Sequence, residues 1–166
     1  DILLHELGRE RVGAMLAETG VADPDRSLPV LSTVEAFRLK AMATDGAVDQ
    51  WATMTPDART TLLTREAERM AGIQVGPELF ANGPVALQVE WYASPRDGAR
   101  MLDWLRVHGD AGTRALLAVN PGTNMADRFA YIGYKGGSET GVVAAHYLVR
   151  AAHGPWYAVT GNWHRD

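Results

Sequence analysis

The C-terminal part of the chain alternates between β-prone runs and short breakers, and this pattern leaves few folds open. Three runs are rich in β-branched and aromatic residues: Phe129–Tyr134, Val142–Val149 and Trp156–Trp163. A glycine-rich stretch, 136–141, and the triplet His153-Gly154-Pro155 separate them. Connections this short join antiparallel strands, because a parallel crossover needs about a dozen residues or more. The sequence therefore predicts an antiparallel meander over residues 127–164.

Helical patterns fill the preceding residues, 1–120. Apolar residues at helical spacing predict two short helices, with a break near Gly8 and an end at Gly20. Further helix starts carry a capping residue: Ser32 with Glu35, Thr55-Pro56, and Ser94-Pro95-Arg96-Asp97. One more helix is predicted around Ala111–Val119. Helices followed by a meander indicate an α+β fold in one domain over residues 1–166.

Composition excludes several classes of function. The chain has 166 residues, of which 46% are hydrophobic and 22% charged, which is ordinary for a globular domain. A net charge of −4 gives no basic footprint for nucleic acid, and no apolar window is long enough to span a membrane. The absence of cysteine excludes disulfides, thiolate zinc sites and cysteine nucleophiles. The five histidines lack zinc-motif spacing, so we expect no metal and no cofactor, and the compartment stays open.

The segment with the most chemical content is Tyr134-Lys135-Gly136-Gly137-Ser138-Glu139-Thr140-Gly141. It places a cation at the end of a strand, followed by two glycines that let a ligand approach the backbone closely, and a hydroxyl. Backbone N–H groups at a strand edge can stabilise an oxyanion. The competing interpretation is a plain β-turn, because glycine and serine at a hairpin need no function.

The segment resembles the Lys-Thr-Gly element of the class A β-lactamase and penicillin-binding-protein type of serine hydrolase, whose other motifs are Ser-x-x-Lys and Ser-Asp-Asn. Lys135, Gly136, Gly137 and Ser138 match the Lys, the Thr, the Gly and the small residue that follows. Gly136 departs from the pattern, since it lacks the threonine hydroxyl that contacts the substrate carboxylate in that family.

The surroundings of the segment carry the resemblance further. In the family the strand follows a helix with a Thr-Pro or Ser-Pro cap, which Ser94-Pro95 matches. Asp1–Gly8 is similar to a Leu-Leu-x-x-x-Gly helix that follows Ser-Asp-Asn by a few residues. The resemblance therefore implies a partial β-lactamase-like domain that begins after the second motif. The stretches 28–40 and 90–95 most resemble the β-lactamase-like esterase of the clavulanic-acid gene cluster.

The resemblance implies roles for the four residues. Lys135 would lie near the proton network and the substrate carboxylate, and Gly136, Gly137 and Ser138 would bind substrate. The Ser138 N–H would be one of two oxyanion donors, and the other would belong to the nucleophile. That nucleophile would precede Asp1, since the chain itself contains no Ser-x-x-Lys. We therefore expect residues 1–166 alone to be inert in acyl transfer.

The reaction type follows from a missing carboxylate. Efficient class A β-lactamases activate water with a glutamate, but residues 20–33 contain none, and Glu35 is explained by its cap. We expect a hydrolase acting on a small-molecule ester, amide or β-lactam by an acyl-serine route, with weak β-lactamase activity at best. The alternative is an inactive binding or structural protein of the same fold. A missing N-terminal half, or a second copy of the chain, would cover an otherwise exposed apolar face.

Overall fold

The computed structural model describes residues 1–165, and its architecture is α+β. Within these residues there are seven α-helices and one three-stranded antiparallel sheet. The residues form two compact units: unit 1 comprises 1–18 and 22–92, and unit 2 comprises 19–21 and the described residues from 93 onward. Unit 1 contains α1 Ile2–Leu7, α2 Arg9–Glu18, α3 Thr33–Ala41, α4 Pro56–Arg65 and α5 Ala67–Ala71. Unit 2 contains α6 Pro95–His108, α7 Ala111–Ala118, β1 Phe129–Glu139, β2 Val142–Ala151 and β3 Trp156–His164.

Two helix starts in unit 1, those of α3 and α4, are set by local side-chain caps. The Ser32 hydroxyl accepts from the N–H of Glu35 at 3.2 Å, and the Glu35 carboxylate accepts from the N–H of Ser32 at 2.8 Å. Thr55 caps α4 in the same way, by accepting from the N–H of Ala58. Each cap satisfies a donor that the first turn leaves without a helical partner. The predicted starts of α3 and α4 are confirmed.

The core of unit 1 is one apolar cluster built from helices α3, α4 and α5 and from the segments before, between and after them. Its buried members are Leu31, Ala36, Leu39, Met42, Val48, Trp51, Leu62, Leu63, Met70 and Val89. Burying a large apolar side chain contributes about 1.5–3 kcal/mol, so this cluster is the main source of stability in the unit. Two cations of the unit are buried as well: Lys40 at 0% exposure and Arg59 at 3%.

Unit 2 begins with the predicted capping box. The Ser94 hydroxyl accepts from the N–H of Asp97 at 3.1 Å, and the Asp97 carboxylate accepts from the N–H of Ser94 at 3.0 Å. Pro95 occupies the first turn, where its missing N–H costs nothing. The predicted start of α6 is confirmed, and the helix continues to His108.

The sheet of unit 2 has the order β1-β2-β3, as the meander pattern predicts. Its register places Lys135 of β1 opposite His146 of β2, which in turn lies opposite Thr160 of β3. Thr160 donates to the carbonyl of Pro95 at 2.5 Å, and Asn162 donates to the carbonyl of Ala93 at 2.6 Å. Since alternate residues share a face, the start of α6 lies against the face that carries these side chains.

The strand β1 is longer than the sequence predicts. Gly136, Gly137 and Ser138 continue the strand and pair with β2, and the turn falls on Thr140-Gly141, where Gly141 has φ +80. Both the prediction that the strand ends at Lys135 and the β-turn interpretation of the two glycines are wrong. Pairing with β2, in which Gly137 lies opposite Ala144 and Gly136 opposite Ala145, outweighs the low strand propensity of glycine.

The sheet face opposite α6 exposes large apolar side chains. Val143, Tyr157, Val159 and Trp163 lie on this face and are 45%, 53%, 57% and 58% exposed, respectively. They share one face because their positions alternate along β2 and β3. This is the apolar surface expected from the sequence, and its coverage by another chain stays a prediction.

Candidate functional site

The four candidate residues lie consecutively on β1, where strand geometry divides them between two faces. Lys135 and Gly137 share the face toward α6, whereas Gly136 and Ser138 share the opposite face. Lys135, Gly137 and Ser138 are exposed, and Gly136 is half-buried. Among the described residues the Ser138 hydroxyl has no hydrogen bond and is therefore open to a ligand.

The backbone N–H and C=O groups of Gly136 and Ser138 point away from β2. The carbonyl of Ala144 lies 3.0 Å from the place a Cβ on Gly136 would take, so it points toward β1 at this position. Ala144 pairs with Gly137, which therefore carries the ladder bonds here. Because strand residues alternate in direction, Gly136 and Ser138 turn their N–H and C=O groups to the outer edge. In residues 1–165 no strand pairs with that edge.

The Lys135 ammonium lies beside these outward groups. Its Nζ donates to the carbonyl of Gly136 at 2.8 Å. A cation and the N–H of Ser138 are thereby presented along one open strand edge. Such an edge can attract a carboxylate and stabilise a developing oxyanion. The structure thus places Lys135, Gly136 and Ser138 along this edge, whereas Gly137 bonds to β2.

A histidine lies directly across the ladder from Lys135. His146 lies in the middle of the apolar strand β2. Its Nδ1 is buried and has no hydrogen-bond partner among the described residues. Gly98 of α6 packs on the ring so closely that a Cβ there would lie 2.5 Å from Nδ1. Burial, and to a smaller extent the Lys135 ammonium, lowers the pKa of His146, so the ring is neutral at neutral pH.

A tyrosine fills the space above Gly136. Tyr134 lies two residues earlier on the same face, and a Cβ on Gly136 would overlap its Oη and lie 2.5 Å from its Cζ. The Tyr134 ring is held between Tyr147, with centroids 4.8 Å apart, and the backbone of Gly122. A side chain at position 136 is therefore excluded while Tyr134 keeps this position.

Glu35, which follows residues 20–33 by two positions, has both carboxylate oxygens engaged by other residues. The Arg9 guanidinium donates to both of its oxygens at 2.7 and 2.9 Å, and Ser32 donates its N–H. Partial burial raises the pKa of the Glu35 carboxyl, but the hydrogen bonds from Ser32 and Arg9 outweigh burial and lower it overall. Glu35 is a structural anion, as its capping box predicts, and is unsuited to general-base work.

Sequence reasoning missed two neighbours of the segment. Tyr134 could have been found from the period of a strand, because residues two apart share a face. His146 could not, because the register that pairs it with Lys135 depends on where the turn falls. The misplaced turn therefore hid the closest titratable neighbour of the candidate cation.

No protein-family model matches the chain, and the curated proteins include no significant match to it. Across residues 1–165, no three His, Asp or Glu side chains converge to hold a metal ion. None of the helices in that same range has the length and apolar character required to cross a membrane.

Proposed function

We propose that this chain forms part of a serine hydrolase of the class A β-lactamase and penicillin-binding-protein type, acting on an ester, amide or β-lactam. The observation that carries the proposal is the segment Lys135–Ser138 of β1. This strand is the first of an antiparallel meander that follows the Ser-Pro-capped helix α6 in the sequence. Its outer edge presents a cation and a backbone N–H side by side. The β-lactamase-like fold and the kinship with the clavulanic-acid-cluster esterase belong to the same proposal.

Each residue has a role in the proposed acyl transfer. Lys135 attracts the substrate carboxylate and adds positive charge near the reacting groups. The N–H of Ser138 donates to the oxyanion that forms when the nucleophile attacks the carbonyl. The hydroxyl of Ser138 is free to bind the substrate. The nucleophilic serine and its lysine base come from outside residues 1–166, which contain no Ser-x-x-Lys.

The hydrogen bonds and lowered pKa of Glu35 limit which hydrolase reaction is proposed. With its pKa lowered and its oxygens bound by Arg9 and Ser32, it cannot take a proton from a deacylating water. Residues 20–33 contain no glutamate that could replace it. Ester hydrolysis or carboxypeptidase-like chemistry, rather than rapid β-lactam turnover, is the proposed reaction.

Intact mass spectrometry with a reactive cephalosporin tests the proposal. The natural gene product that contains this chain should gain the mass of one acyl group, and the 166-residue chain alone should not. Lys135→Ala should slow adduct formation in the natural product. The matched control is Arg128→Ala, which removes an exposed cation just before β1 and should leave the rate unchanged. An adduct on the 166-residue chain, or none on the natural product, would contradict it.

A second function, a β-lactamase-fold protein that binds without catalysis, is favoured by Gly136. This residue lacks the hydroxyl that the resembled family uses at that position. Saturable binding of the cephalosporin to the natural gene product without any adduct would support this function over the enzyme.

A further inference from the structure

We propose that the Tyr134 hydroxyl is a substrate-binding group that acts with Lys135 on the carboxylate of the substrate. This inference rests on the proposed function and names one more residue of the same site. It starts from a steric observation, namely that the phenol occupies the volume that a side chain at Gly136 would need.

The position of the phenol oxygen is the first step. Tyr134 and Ser138 flank Gly136 on one face of β1, two residues away on either side. The Oη of Tyr134 does not stay over its own position but reaches forward over Gly136. A hydroxyl is therefore present on the strand at the height of residue 136, although residue 136 itself has none.

The phenol is also available to a ligand. Within the described residues its oxygen makes no hydrogen bond, and the side chain is only half-buried. A tyrosine hydroxyl is both donor and acceptor, so an open one beside a ligand edge is a ready donor to a carboxylate. By contrast, the neighbouring Tyr147 already donates to the carbonyl of Gly122 at 3.3 Å.

The ring is held in place without using the hydroxyl. Tyr147 lies against one part of it, and Gly122 lies so close that a Cβ there would be 3.0 Å from Cδ1. Aromatic packing and the tight turn thus fix the phenol at low cost in side-chain entropy. A purely structural tyrosine would need its ring here but not its oxygen.

The Lys135 ammonium is the second group that would bind the substrate carboxylate. Lys135 reaches the carbonyl of Gly136, the residue that the phenol covers. An ammonium and a hydroxyl that converge on one glycine match the two oxygens of a carboxylate, and hydrogen bonds to an ionised acceptor are about twice as strong as neutral ones. The ligand class is therefore a small acyl compound with a free carboxylate.

The test is an NMR titration of the 166-residue chain with benzylpenicillin and, separately, with its methyl ester. The acid should shift the amide resonances of 134–138 and bind more tightly than the ester. Tyr134→Phe keeps the ring and removes only the oxygen, so it should weaken binding of the acid by about five- to tenfold and leave the ester unchanged. Tyr147→Phe is the matched control and should leave both unchanged.

The outcomes separate the two proposals. If Lys135→Ala weakens binding of the acid and Tyr134→Phe does not, the site stands and the role of Tyr134 is overturned. If neither compound shifts these resonances, the proposed site and this inference both fail. If Tyr134→Phe weakens binding of the ester as much as that of the acid, the loss comes from the fold of the sheet and the role of the Tyr134 hydroxyl is overturned.

Discussion

Unit 1 places two cations in its interior and gives each several oxygen acceptors, whereas unit 2 buries a histidine nitrogen that no described residue meets with a hydrogen bond. Lys40 donates to the carbonyl of Val85 at 2.9 Å and to the Glu90 carboxylate. His146 has a buried Nδ1 without such a partner and packs against Gly98.

The contrast separates a buried polar group that stabilises the fold from one that lies beside the proposed site. A buried cation with its acceptors in place holds distant segments together, as Lys40 does for α3 and the segment around Glu90. An unsatisfied buried polar atom costs stability and is rare in native proteins, so it often accompanies a functional site. In this chain it lies across the ladder from Lys135, the proposed cation of the site.

The largest expected effect comes from breaking the ion pair of unit 1. Lys40→Met should lower the free energy of unfolding by about 3–5 kcal/mol, because it leaves the Glu90 carboxylate without its buried partner. Urea denaturation followed by tryptophan fluorescence measures this loss. Adding Glu90→Gln should recover most of it, and an equally unstable double variant would show that the pair itself is not the cause.

A similar but smaller loss is expected when the second cation is removed. The Arg59 guanidinium donates to four carbonyl oxygens, those of Asp25, Arg26, Leu28 and Trp51. Arg59→Met should cost about 2–4 kcal/mol, since these acceptors lose their donor in a partly buried place. The same denaturation experiment applies. Arg65→Ala, on an exposed side chain of the same helix, should change stability by less than about 0.5 kcal/mol.

Filling the space beside His146 tests unit 2 directly. Gly98→Ala should destabilise by about 1–3 kcal/mol, because the new Cβ meets Nδ1 at 2.5 Å inside packed structure. Gly112→Ala on α7 is the control: its Cβ has only ordinary contacts, and alanine should stabilise the helix by about 0.5–1 kcal/mol. Thermal unfolding that ranks the two variants in the opposite order would refute the close packing at Gly98.

The smallest expected effects are pH dependences, and they fall in different ranges for the two units. The pKa of His146 is lowered by folding, so the unfolded chain binds a proton first, and unit 2 loses stability as the pH falls below about 6.5. His146→Gln should remove this dependence, and Lys135→Met should reduce it. The protection factors of β2 amides, which are hydrogen-exchange rates corrected for the intrinsic effect of pH, measure it against pH, and protection factors that do not change with pH in the unchanged protein would contradict the burial of Nδ1.

The corresponding group in unit 1 responds at lower pH. The pKa of Glu35 is lowered in the folded chain, so its contribution is complete above the ordinary value of 4.5 and is lost as the pH falls below it. The protection factors of α3 amides should therefore stay constant in the pH range where those of β2 already fall. Glu35→Gln should make α3 exchange insensitive to this range, and simultaneous loss in both units would show that they do not respond separately.

Features encoded by neighbouring residues could be predicted from the sequence. The caps at Ser32, Thr55 and Ser94 are local patterns, and the structure has all three. The order of helices before a meander follows from the change of hydrophobic period. Lys135 and Ser138 were found because four consecutive residues resemble a known element.

Features that depend on distant residues could not be predicted. Lys40 pairs with Glu90, which lies fifty positions further along the chain, and the sequence around either residue does not indicate the pair. The length of β1 was underestimated because Gly136 and Gly137 resemble a turn when their ladder partners are unknown. Register and burial depend on the tertiary structure, so His146 could be recognised as a neighbour of Lys135 only from the structure.

The overlap of Tyr134 with position 136 also constrains how this protein can change over generations. A threonine at 136 would meet the phenol at once, so Gly136→Thr alone should be selected against. A threonine at 136 fits only after a smaller residue has replaced Tyr134. The two positions are therefore epistatic: the effect of a side chain at 136 on stability depends on which residue occupies 134.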